Sequence, residues 1–366
     1  MPAKRSLERV ARNLMSSDKS GNFRLLSEIE LTQSMVDFQG ESILYFDSGR
    51  ADPNRFLIFS NRQLKEFSQG VSDYQMDGTF KLCPSVYNNG LTSSGQLYTI
   101  HAKKDGILVP CYYILMAKKT ASEYGRIFEK LRDLVGFNLS SVMIDMEQAV
   151  VSAVSDMFTE CWITFCFFHF RQSIWRWIQA NGMCSRYSHE NNNWFRKLIN
   201  QHACLAFVPP NDVIEAFECL QQTIEDRHLE DGDVEAFIGY FESSFIGRVR
   251  RNGTRGNPRH GIEMWNQYNK AISGENRTNN SVEGWHHAML SISNCHHPHF
   301  GKFLDIIKQD MLNSRIKIVQ SNTGIANTPQ RSTYKMLSQR YKVIAESYNA
   351  DSKIDYLTSL ALIFQF

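Results

Sequence analysis

The 366-residue sequence predicts an α/β protein: a mixed five-stranded sheet with helices on its faces, interrupted by a large all-helical insertion before the last functional helix. Three observations carry that prediction. Between residues 72 and 167, apolar runs of strand length are separated first by short turns and then by amphipathic stretches of helix length. From 168 to about 275 helical periodicity dominates and strand signals fade. Asp77 and Asp145 stand where apolar strands run out, and Glu283 falls on a helix beyond the insertion.

Residues 1–70 form a lead-in segment. It opens on a helical stripe of Leu7, Val10, Ala11 and Leu14, with Arg5, Arg9 and Arg12 on other faces, the pattern of a packed N-terminal helix, with a DNA-contacting arm as the alternative. Phe56–Phe59 reads as a short strand and Asn61–Phe67 as a helix. The first part of the core, 71–167, begins with the strand carrying Asp77. Strands over Leu97–His101 and Cys111–Met116 follow, joined by the Lys103-Lys-Asp-Gly106 turn, an Asp-Gly hairpin signal. Thr120-Ala-Ser-Glu123 has the form of a capping box and opens a helix to about Leu134, with Tyr124, Ile127, Phe128 and Leu131 on one face. Ser141–Asp145 is a short buried strand, Glu147–Phe158 a helix and Cys161–Phe167 the fifth strand. Three strands, then helix, strand, helix, strand, is the order of a ribonuclease-H-like core.

The insertion spans 168–275. It includes the stripe Val213, Ile214, Phe217, Leu220 and Ile224, and ten acidic residues against one basic residue over Asp212–Glu242, which reads as a solvated helix face. The core resumes over 276–320 with the helix bearing Glu283, and 321–366 is a helical tail. From Phe300 onward, Phe303, Ile306, Ile307 and Met311 keep helical spacing.

Composition sets wide bounds. A hydrophobic fraction of 42% supplies a core, and a formal net charge of +2 neither marks nor excludes a nucleic-acid partner, so a DNA-binding surface has to be local. The eight cysteines form no CxxC pair, which suits reduced thiols. The most apolar stretch, Ile107–Ala117, is too short to span a bilayer and contains Pro110, so no membrane partner is expected.

Asp77 is followed by Gly78 and Thr79, where the backbone can approach a metal or phosphate. The same string suits an aspartyl-phosphate nucleophile two residues earlier, but that position is Gln75, which cannot form an acyl phosphate. Asp145 ends its strand, where the reactive crevice of an open α/β sheet lies; Glu147 competes for that role but better starts the next helix. Glu283 falls in an early helical turn after Asn279-Asn280, with His286 one turn later on the same face. Three carboxylates in this order suit two divalent ions clamping a phosphodiester. Cys166-Phe-Phe-His169 is half a zinc site, or a buried thiol with a backbone-bonded histidine. Arg248, Arg250, Arg251, Arg255 and Arg259 crowd a Gly- and Pro-containing loop without acids, a composition that suits phosphate contacts.

Together these strings resemble the MULE (Mutator-like element) transposase domain over roughly residues 40–320. The pieces are Asp77-Gly-Thr-Phe-Lys81 with Pro84, Gln96-Leu-Tyr-Thr-Ile-His101 with Val109-Pro110, Lys119-Thr120 with Tyr124, Asp145-Met-Glu-Gln-Ala149, Cys166-Phe-Phe-His169-Phe and Arg277-Thr-Asn-Asn-x-x-Glu283-x-x-His286. The resemblance implies a ribonuclease-H-like fold with Asp77, Asp145 and Glu283 as catalytic ligands of two Mg²⁺ or Mn²⁺ ions. Cys166, His169 and His286 would support the site. It further implies metal-dependent cleavage and strand transfer on double-stranded DNA in the nucleus, with a homo-oligomer as a candidate assembly that the sequence does not fix; the alternative is a domesticated or degenerate copy acting as a non-catalytic DNA-binding regulator. Relatives often carry an N-terminal zinc-binding recognition module, and no paired Cys and His precede residue 77 here.

Overall fold

The computed structural model describes residues 23–88, 95–188, 193–226, 231–323 and 332–363; the helix expected over Leu7–Leu14 lies outside them. Two compact units divide the chain, Met1–Ile163 with Asn280–Thr328 and Thr164–Asn279 with Pro329–Phe366.

In the first unit a small ribbon of β1 (Asp37–Phe38) and β2 (Glu41–Ser42) precedes the main sheet. That sheet is built from β3 (Leu44–Asp47), β4 (Leu57–Phe59), β5 (Asp73–Thr79), β6 (Gln96–Lys104), β7 (Ile107–Met116), β8 (Ser141–Ile144) and β9 (Trp162–Phe165). The order is β3-β4-β7-β6-β5-β8-β9. β5 and β8 run parallel, while the β3–β4, β4–β7, β7–β6 and β6–β5 pairs are antiparallel, so the sheet is mixed.

Seven strands replace the five expected because the lead-in segment joins the sheet. β4 pairs with Tyr113–Leu115 of β7, which makes β7 an interior strand, and β3 becomes the half-buried edge. The β3–β4 connection is clamped by Arg55, only 2% exposed, whose Nε and one Nη meet the two carboxylate oxygens of Asp47 at 2.8 and 2.6 Å.

The β6–β7 turn forms as its sequence predicts. Asp105 and Gly106 both have positive φ, 51° and 74°, the two-residue turn whose twist matches that of the flanking strands. Pro110 would break an interior strand by lacking an N–H. Here the register passes from Ile100↔Tyr112 to His101↔Pro110, leaving Cys111 as a bulge that accommodates it.

The helices are α1 (Arg62–Ser68), α2 (Ala121–Val135), α3 (Gln148–Met157), α4 (Phe167–Ala180), α5 (Asn193–Cys204), α6 (Val213–Glu225), α7 (Gly232–Phe241), α8 (Asn280–Ser293), α9 (Phe300–Asn322), α10 (Ser332–Glu346) and α11 (Lys353–Ile363), with shorter turns between them. Thr120 caps α2 by accepting from Glu123 N at 3.3 Å. The reciprocal half of the expected capping box is missing, because the Glu123 carboxylate is taken by Arg126 at 2.7 Å and Asn54 at 2.9 Å.

Strand alternation assigns the helices of the first unit to opposite faces of the sheet. Tyr98 of β6 meets Tyr124 of α2 edge-on at 5.0 Å. Its neighbours of opposite parity face α8 and α9: His101 meets Trp285 at 5.1 Å, and Phe59 of β4 meets Phe303 at 6.0 Å. Asp77 pairs with Thr99 in the β5–β6 register and therefore shares the α8 face.

The second unit contains α4–α7, α10 and α11, and a lone β-bridge between Val249 and Arg255. Phe170 of α4 stacks on Trp265 at 5.2 Å, and Tyr341 of α10 stacks on Phe207, also at 5.2 Å. The C-terminal helices thus build one core with the inserted segment. All eight cysteines are free thiols. Among the described residues no helix is long and apolar enough to cross a membrane.

Candidate functional site

Three elements of the first unit deliver carboxylates to one end of the sheet. The parallel β5–β8 register runs from Asp73↔Ser141 to Gln75↔Met143, and two residues further on it sets Asp77 beside Asp145. Adjacent strands are about 4.8 Å apart, so the two acids are neighbours by backbone geometry alone. α8 packs against β5 and brings Glu283 and His286 to the same end; His286 Nδ1 lies 3.6 Å from Asp77 Oδ2.

Each acid is held differently. Asp77 is 6% exposed, and its Oδ1 accepts from the following Gly78 N at 2.8 Å. Asp145, half-buried, accepts from Glu147 N at 3.1 Å through Oδ1, an Asx-type turn that ends β8. Glu147 is the N-cap residue of α3. Its Oε1 accepts from the Tyr124 hydroxyl at 3.2 Å, and Lys119 Nζ lies 3.7 Å from Oε2. Glu147 therefore has its own partners, while Asp145 stands next to Asp77.

The electrostatics follow from that crowding. Burial first, then the charges of Asp145, Glu283 and Glu147, push the Asp77 carboxyl up to about 8, with the Gly78 N–H opposing the rise. Glu147 is raised by burial and by Asp145, against Lys119 and Tyr124. Glu283 is raised by burial, with His287 opposing. An all-oxygen donor set whose charges repel one another fits a hard divalent cation such as Mg²⁺ or Mn²⁺.

Cys166 and His169 belong to the second unit. Cys166 is the N-cap residue of α4, and its Sγ accepts from Asn279 N at 3.3 Å; His169 lies in the first turn of that helix. Of the five arginines, Arg248, Arg250, Arg251 and Arg259 are exposed. Arg255 is set apart. Its guanidinium meets Glu218 and Glu242 at 2.8 Å each and the Gly247 carbonyl at 2.8 Å, so it braces the loop from within. Gly247 has φ +95°, and a Cβ there would lie 1.9 Å from the Gly256 carbonyl oxygen, so only glycine allows the two arms of the hairpin to close.

Two residues beside the cluster carry no motif: Trp285, and Asp310, which accepts from both Trp285 Nε1 and the Tyr113 hydroxyl. Asp310 falls seven residues after Phe303 and three after Ile307, so an acid on the apolar stripe of a helix was the available signal.

This arrangement defines an α/β protein with a carboxylate cluster at the carboxyl ends of adjacent parallel strands. Residues 74–173 match the family model of the MULE transposase domain, the family the motifs resemble. The match includes Asp77, Asp145, Cys166 and His169 and ends before the arginine loop and Glu283. No curated protein matches the chain.

Proposed function

We propose that this chain is a DNA transposase of the Mutator-like type, with Asp77, Asp145 and Glu283 as an Asp-Asp-Glu set holding two Mg²⁺ or Mn²⁺ ions. The observation that carries the reading is the meeting of three acids from distant parts of the sequence at one end of the sheet, two of them inside the matched transposase segment. The run β7-β6-β5-β8-β9, antiparallel on one side of β5 and parallel on the other, supports a ribonuclease-H-like core.

Such ions, when bound, activate a water against the scissile phosphodiester and stabilise the departing 3′ oxygen. The protein's part is positional. Asp77 and Asp145 present oxygens from adjacent strands that cannot shift independently. Glu283 supplies a third carboxylate from a helix, and His286 orients Asp77. Water attack gives a 5′-phosphate and a free 3′-OH, and that hydroxyl then attacks target DNA, displacing another 3′ oxygen. The substrate is double-stranded DNA, the compartment the nucleus and the working form a homo-oligomer. Arg248, Arg250, Arg251 and Arg259 contact phosphates, with Arg255 shaping the loop that presents them.

The test is cleavage of supercoiled and linear duplex DNA with Mg²⁺ or Mn²⁺, comparing wild type with Asp145→Ala at matched thermal stability. Activity should fall by on the order of 10³-fold or more in the variant. Equal cleavage by both proteins overturns the assignment, and DNA binding by the wild type without cleavage in either metal indicates a non-catalytic regulator.

A further inference from the structure

We propose that Asp310 is a positioning residue for the carboxylate cluster: through Trp285 it fixes the rotation and seat of α8, and with them Glu283 and His286. This inference rests on the transposase reading for its link to activity, but its structural half stands independently.

α8 is poorly specified by apolar packing. Of its fourteen residues only Val282, Met289 and Ser293 are buried, and Gly284 follows Glu283 directly, weakening the helix where the acid projects. A helix of this kind can turn about its axis unless something fixes it. One residue of rotation, about 100°, carries Glu283 and His286 together away from Asp77.

Trp285 supplies the fixing point. It lies about 200° around the helix from Glu283, so its indole holds the side of α8 that the acid does not. The indole Nε1 donates to both Asp310 oxygens at 3.0 Å, and the ring packs edge-on against His101 at 5.1 Å and tilted against Tyr113 at 6.0 Å. Asp310 is 6% exposed on α9 and also accepts from the Tyr113 hydroxyl at 2.5 Å. One carboxylate thus joins α9, α8 and interior strand β7.

From Trp285 two short paths lead to Asp77. The adjoining His286 ring, 5.2 Å from the indole, faces the Asp77 carboxylate. His101 Nε2 lies 3.0 Å from Thr99 Oγ1, and that hydroxyl donates to the Asp77 carbonyl at 3.3 Å. A buried carboxylate is costly unless its hydrogen bonds are made, and Asp310 makes them to the residues that fix this helix.

Asp310→Leu and Asp310→Asn in the full chain separate positioning from mere packing. Asparagine can accept from Trp285 through Oδ1 and donate to the Tyr113 oxygen through Nδ2, keeping both links; leucine keeps neither. Hydrogen exchange followed by mass spectrometry should show peptides covering 280–293 exchanging roughly ten-fold or more faster in Asp310→Leu, with β5–β8 still protected and Asp310→Asn close to wild type. Metal-dependent cleavage should fall about 10- to 100-fold in kcat for Asp310→Leu, with KM for DNA nearly unchanged, and recover in Asp310→Asn. Trp285→Phe, which keeps a ring but removes the donor, should reproduce the leucine variant's local loosening and decides the case if that variant does not fold. Unchanged exchange in α8 overturns the proposal, as does loosening of β5–β8 as great as that of α8 in a folded variant, or an asparagine variant as impaired as leucine. If wild type never cleaves DNA, the transposase reading fails while the exchange experiment still decides whether Asp310 positions α8.

Discussion

Replacing Asp77 with asparagine should stabilise the metal-free protein, and the gain should grow as pH rises. The Asp77 carboxyl is pushed up to about 8 in the folded protein, first by burial and then by Asp145, Glu283 and Glu147. In the unfolded chain it titrates in the ordinary aspartate range. Between those limits the folded state holds a proton that the unfolded chain has released. The stability tied to that proton is fully present below the ordinary range and is lost as pH rises through about 8. One proton gives a slope of at most about 1.4 kcal/mol per pH unit, so from pH 5.5 to 7.5 the wild type loses up to about 2.7 kcal/mol that Asp77→Asn does not.

Calorimetry in EDTA reads this directly. In a unit of the size that holds the sheet, 1 kcal/mol moves Tm by about 2–4 °C, so the gap between variant and wild type should widen by roughly 5–10 °C over that interval. If the cluster holds Mg²⁺ as proposed, added Mg²⁺ should raise the wild-type Tm more than that of the variant, which would lack one ligand. A gap that stays constant to within about 0.5 kcal/mol, or narrows with pH, refutes the electrostatic account of the site.

Three further outcomes concern arginines. Arg250→Ala and Arg251→Ala should each lower the salt dependence of duplex DNA binding by about one unit of log K against log salt. Arg255→Ala should leave that dependence largely intact while lowering stability by about 1–2 kcal/mol, because Glu218 and Glu242 lose their shared cation. Arg55→Ala should destabilise the first unit by about 3–5 kcal/mol in calorimetry, because it strands Asp47 beside a buried strand junction.

Much of the sheet was legible because its signals are local. The Asp105-Gly106 turn, the Thr120 cap and the apolar run before Asp145 each act over a few residues, and each forms where the sequence indicates. β3 was not legible. Its half-buried residues have no clean alternation, and it becomes a strand by pairing with β4 and through the Arg55–Asp47 clamp, eight residues apart. The two aspartates stand out only together with Glu283 and the surrounding motifs, and Asp77 falls two residues before the end of β5. The contribution of Glu147 to the potential on Asp77 was not legible, since it depends on where the first turn of α3 is anchored. Arg255 shows the same limit: its composition is that of a phosphate contact, but two glutamates from separate helical segments decide its role.

The contrast between Asp145 and Glu147 separates holding a cation from shaping the field around it. Both carboxylates raise Asp77, so both add to the negative potential at the sheet end. Glu147 shares its charge with Lys119 and the Tyr124 hydroxyl, and the same hydroxyl is bonded to Gln96 behind it. Moving Glu147 onto a cation would break contacts that tie α2 to the start of α3. Asp145 is tied only by a turn to the Glu147 amide through Oδ1, which leaves its other oxygen outside that turn. The two acids two residues apart are therefore not interchangeable. Under the proposed function Asp145 is the ligand, whereas Glu147 holds the helix that follows it and adds to the negative potential at Asp77.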